Sequence, residues 1–207
     1  WLPDLGAWAR VGARHLKPGG RFHMVEFHPI ISMLDEDAKE ITSGTTNSLA
    51  FNSANTAGNL IVVYAIWSNT GSATVCDSRG NTYATAAART TWSGTSSAQV
   101  FYARNVAAGA NTVTVTHATA VNSYSVMYIH EYSGIDKVDP VDVTRSANGT
   151  GSTMNSGSVT TTNPADLLFA AGASSASITA GGAGYTTRST AFGNRTQDQR
   201  VTATGSY

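Results

Sequence analysis

The chain has 207 residues, with 13 Lys plus Arg balanced by 13 Asp plus Glu, so its formal net charge is zero and only 13% of it is charged. Such a balance supplies no basic field for nucleic acid or an anionic membrane. The most apolar runs, 60–67 and 167–171, are strand length, well short of the roughly 18 residues that cross a bilayer. One cysteine, Cys76, excludes an internal disulfide and by itself cannot build a thiolate metal site.

Residues 1–16 place Leu2, Leu5, Trp8, Ala9, Val11 and Leu16 at spacings that gather on one side of a helix. Lys17-Pro18-Gly19-Gly20 stops it, because proline lacks a backbone donor and glycine accepts positive φ. Residues 21–28 then alternate as a strand, and Pro29 closes it. This stretch, WARVGARHLKPGGRFHMVEFHP, resembles the late helix and following strand of class I S-adenosylmethionine-dependent methyltransferases. The glycine-rich strand-turn-helix and the acidic ribose-binding residue that such enzymes use for their cofactor have no counterpart in the sequence, so methyl transfer is not expected. His23, Glu26 and His28 carry metal-ligand chemistry, but on a strand His23 points away from the other two, which favours a plain strand over a zinc site. The expected organisation is a methyltransferase-like fragment over 1–37 and a β domain over 38–207.

From Lys39 onward, apolar residues alternate with threonine, serine and glycine in short runs broken by turn residues. Strands are expected at 48–53, 59–68, 73–77, 98–105, 111–117, 123–133, 141–146, 157–162, 166–172, 184–190 and 199–204. The second and sixth are apolar on both faces and therefore central. Asp77-Ser78-Arg79-Gly80-Asn81 reads as an Asx-type turn that makes a hairpin of the 73–77 strand and the residues from Tyr83 onward. The turn 107–111 links the Phe101 and Val113 strands in the same way. The expected fold is all-β, an antiparallel two-sheet β-sandwich of jelly-roll or immunoglobulin-like order.

The series NTAGNLIVVYAIWSNTGSATVCDSRGNTYATA, FYARNVAAGANTVTV, YIHEYSGIDKVDPVDVT and GSVTTTNPADLLFAAG resembles a poorly characterised β-sandwich module of secreted and cell-surface bacterial proteins, often metagenomic. That resemblance covers about residues 45–207, and the low-charge, Thr/Ser/Gly/Asn-rich composition points to an extracellular or cell-surface location, with any signal peptide outside the sequence that opens at Trp1. The resemblance implies one more apolar strand after the terminal Gly-Ser-Tyr; without it a sheet edge would be open to self-association unless residues 38–53 or another chain cover it.

For chemistry, the densest polar cluster is 130–136. Glu131 faces opposite to His130 along a strand, so the expected role of Glu131 is to accept hydrogen bonds from backbone or an arginine while His130 lies half-exposed. The catalytic alternative is a hydrolase of glycans or esters using Glu131, His130 and Asp136. Asp77, Asn81, Asp136 and Asp139 supply hard oxygens of the kind calcium takes, without a D-x-D-x-D-G pattern. The simpler reading is a carbohydrate-binding or adhesive module for a polysaccharide or cell-surface glycan, with Trp92, Tyr102 and Tyr132 as stacking aromatics and Arg104 for hydroxyls. A structural spacer in a longer surface protein is the third reading.

Overall fold

The computed structural model describes residues 32–207; the helix and strand expected before them, with His23, Glu26 and His28, lie outside the described residues. The described residues form an antiparallel all-β sandwich, in agreement with the fold class read from the sequence.

Its centre is a sheet in the order β1-β9-β3-β7-β5, with the short β6 also on β7. The strands are β1 (Ser32–Ile41), β3 (Leu60–Trp67), β5 (Tyr83–Thr85), β6 (Thr90–Trp92), β7 (Ser96–Ala103) and β9 (Ser125–Ser133). β3 and β9 are interior, as their two-faced apolar sequences demand, and every residue of β3 is buried.

Each face of this sheet carries a layer. Ile61, Val63, Ala65 and Trp67 of β3 pack with Val113 and Val115 against a sheet of β2 (Gly44–Ala50), β8 (Thr112–Val121) and β4 (Ala73–Asp77). The alternate residues Leu60, Val62, Tyr64 and Ile66 pack against β10 (Asp166–Gly172), through Leu167, Phe169 and Ala171. β10 pairs with β12 (Arg195–Val201), and β12 with β11 (Thr186–Ser189), so a third sheet covers the face that a two-layer sandwich would leave to solvent. Trp67 is the largest of the fully buried side chains; its indole nitrogen donates to Gly71 O at 3.0 Å, and truncation to Ala would cost about 3–5 kcal/mol.

Several local expectations differ from the structure. β4 pairs with β8 and β5 with β7, so the turn after Asp77 crosses between sheets instead of closing a hairpin. The 107–111 turn likewise carries the chain from the central sheet to its neighbour. Turn residues set a reversal of direction but not the sheet that receives the next strand. Residues 141–146 form no strand, and 157–162 contribute only the bridge Thr160↔Ser206. β1 was not expected, and it pairs with β9 from Ser32 to Ile41, across the break read at residue 37. It occupies the edge beside β9.

Candidate functional site

The strand directions sort the connections onto two ends. At one end lie the loops before β3, after β4, after β7 and after β9. There, Glu131 is 2% exposed and accepts three hydrogen bonds, from Asn55 Nδ2 at 2.7 Å, Thr56 N at 2.8 Å and Asn59 Nδ2 at 2.6 Å. Glu131 is a hydrogen-bond acceptor, and one donor is a backbone N–H as expected, but the other two are asparagine side chains where an arginine was the expected side-chain partner. The nearby Asp77 accepts from Arg79 N, Asn81 N, Asn81 Nδ2, Tyr83 Oη and Asn111 Nδ2 at 2.7–3.1 Å. Gly80, at φ +73°, gives that turn its reversal.

His130 differs from expectation. It is fully buried on the opposite face of the sheet from Glu131, its ring 5.3 Å from Phe169 and 6.3 Å from Tyr132. Its Nδ1 lies 3.6 Å from Glu36 Oε2 of β1. Asp136 sits in the exposed turn after β9, where its Oδ1 accepts from Val138 N and Asp139 N at 2.7 and 2.9 Å; these bonds hold its pKa below the ordinary value. Glu131, His130 and Asp136 therefore do not converge as a nucleophile or an acid-base pair would require.

Among the described residues no three His, Cys, Asp or Glu side chains gather as metal ligands do. Asp77 and Asn81 are bonded to each other, and Asn81 Oδ1 accepts from Ala107 N at 2.8 Å. Asp139 and Asp136 are joined through their own turn. Both carboxylate oxygens of Asp77, Asn81 Oδ1 and Asp136 Oδ1 are thus engaged by N–H and O–H groups.

The aromatic residues are placed unevenly. Tyr132 is fully buried, and its hydroxyl donates to Asp198 Oδ2 at 2.9 Å; burial, then the Asp198 charge, pushes its pKa up. Arg188 grips the same carboxylate through Nε at 2.7 Å and Nη2 at 2.9 Å. Tyr102 is half-buried against Leu60 and Val62, while Arg104 is exposed beyond the end of β7. Trp92 is half-buried against the Tyr64 and Tyr128 cluster, so its ring packs partly on the core instead of standing free in a loop. Trp92, Tyr102, Tyr132 and Arg104 form no common platform.

The other end of the sandwich is different in kind. Three connections meet there: 68–72 after β3, 93–95 between β6 and β7, and 122–124 between β8 and β9. They enclose an open cleft of about 340 Å³ lined by Ser68, Asn69, Thr70, Gly94, Thr95, Ser96, Asn122, Ser123 and Tyr124. No Asp, Glu, His, Lys or Arg lines it.

The frame of this cleft is fixed by hydrogen bonds. Ser68 Oγ accepts from Tyr124 N at 3.2 Å and Ser123 N at 3.3 Å, tying the first turn to the third. Tyr124 Oη and Ser96 Oγ are 2.6 Å apart, tying the third to the second. Asn69 Nδ2 donates to Thr119 O at 3.1 Å, and its Oδ1 accepts from Gly71 N at 2.8 Å. Ser93 and Gly94 both take positive φ, 55° and 65°, which makes the second turn tight. Thr70, Thr95, Asn122 and Ser123 are left exposed on the walls. None of these residues is among the site candidates read from the sequence; Ser, Thr and Asn are too frequent in this chain for three turns to stand out.

Comparison with protein-family models, with curated proteins and with solved structures gave no match.

Proposed function

We propose that this is a secreted or cell-surface carbohydrate-binding module without catalysis of its own, and that it holds its ligand in the cleft between the 68–72, 93–95 and 122–124 turns. The observation that carries this reading is the lining: hydroxyl and amide groups around one half-buried tyrosine ring, with no charge. A sugar presents hydroxyls that exchange hydrogen bonds with such groups and a C–H face that lies on an aromatic ring. An uncharged wall favours neutral glycans over uronic or sialic acids, whose carboxylate would lose hydration without gaining a partner. The low-charge, Ser/Thr-rich composition supports an extracellular setting.

The test is retention on a panel of neutral and acidic polysaccharides, with turnover followed on the same samples. Neutral polymers should retain the protein without being cleaved. Tyr124→Ala should weaken retention about tenfold, the scale of one lost aromatic contact. Ser123→Arg, on the exposed wall, should do the same while the free energy of unfolding stays within about 0.5 kcal/mol of the parent. Retention unaffected by both substitutions would move the ligand elsewhere, and turnover of any polymer would make the protein a hydrolase.

A further inference from the structure

The connection from β9 to β10, residues 134–165, is long and for the most part exposed. It is tied to itself at several points: Thr162 N donates to Asp142 Oδ2 at 2.7 Å, and Arg145 Nε donates to Ser156 O at 3.1 Å. Its middle is tied to the central sheet by one side chain, Asn148, whose Nδ2 donates to Thr91 O of β6 at 2.6 Å. Thr91 adjoins Trp92, and the turn that follows provides Gly94 and Thr95 to the cleft.

Asn148 is followed by Gly149, and this is the only Asn-Gly step in the chain. Both residues are exposed, and a Cβ built on Gly149 would meet nothing within 4 Å. Asparagine amides are thermally labile, and the glycine N–H that follows this one has no side chain to hinder its approach.

We propose that Asn148 is a site of spontaneous self-modification that unties this connection from β6. The Gly149 backbone nitrogen, giving up its proton, forms a bond to Asn148 Cγ; the Cγ–Nδ2 bond breaks, and ammonia leaves with the proton. Water then opens the cyclic imide at either carbonyl, leaving aspartate or isoaspartate. No electrons are transferred, and water is the only co-reactant. The product has an anionic acceptor where the amide donor was. Carboxylate and Thr91 carbonyl oxygens repel, so the tie becomes a repulsion and the connection loosens beside the second turn of the cleft.

The experiment ages the whole chain in mildly alkaline buffer and locates the NH2-to-OH mass gain by peptide mapping, with isoaspartate detected enzymatically. Trypsin cleavage after the exposed Arg145 reports the loosening. Aged parent protein should carry the gain at Asn148, and Gly149→Ala, which has room for its methyl group, should resist it. Aged protein and fresh Asn148→Asp should both be cut after Arg145 several-fold faster than fresh parent. Aged protein without the gain at Asn148, or Asn148→Asp cut no faster than the parent, would overturn the proposal.

Discussion

The two ends of the sandwich use polar residues in opposite ways. At the Glu131 and Asp77 end, charge is buried or half-buried and surrounded by donors: Asn55, Thr56 and Asn59 on one carboxylate, Asn81, Tyr83 and Asn111 on the other. At the cleft end the groups are neutral, and hydroxyls and amides stand exposed on Thr70, Thr95, Asn122 and Ser123. A charged residue that looks catalytic in sequence is here a fastener, because an ionised group leaves water only when donors replace its hydration. Neutral groups can remain at the surface with capacity to spare.

The largest expected effect comes from the fastened end. Glu131→Gln puts an amide donor where three donors converge, and should cost on the order of 3 kcal/mol in urea unfolding. Unfolding at the parental urea concentration would mean that the asparagines find other partners and that the two ends differ less than they look.

Acid should also act on this end. Burial tends to raise the Asp77 pKa, but the hydrogen bonds from Asn111, Asn81 and Tyr83 outweigh it and hold the carboxyl below its ordinary value. A folded pKa below the unfolded one gives stability that is present above the unfolded value, about 4, and is lost as pH falls through the folded one. Stability should therefore decline below about pH 4. Asp77→Asn should decline less, since the Asp77 contribution is gone while those of Asp136 and Asp142, also lowered by their hydrogen bonds, remain. Identical acid slopes would remove Asp77 from the account.

The smallest stability effect is expected at the cleft. Tyr124→Phe keeps the ring and removes the hydroxyl that meets Ser96 Oγ, so it should cost about 1 kcal/mol or less in urea unfolding. A loss as large as that of Glu131→Gln would show that the cleft end is fastened too.

How much of this was legible follows from how far apart the determinants lie. β3 and β9 declare themselves locally, because an eight-residue LIVVYAIW run is apolar at every position. β1 hides because Asp35, Glu36, Asp37, Lys39 and Glu40 read as a solvated stretch; Met33, Ala38 and Ile41 pack inward, and Lys39 Nζ reaches Ser48 O at 2.7 Å. The two sheet crossings were misread as hairpins since Asp77 depends on Asn111, 34 residues away, which turn chemistry cannot reveal. Glu131 was legible as an acceptor, but its donors come from 72–76 residues earlier. The cleft was invisible because it exists only where three ordinary turns arrive together.

That assembly from separate turns bears on how such a protein changes over time. Each wall belongs to a different stretch of sequence, and each stretch is anchored on strands whose packing does not depend on what the turn tip carries. Substitutions at Thr70, Thr95 or Ser123 can therefore accumulate one at a time, altering the walls of the cleft while the scaffold keeps its shape.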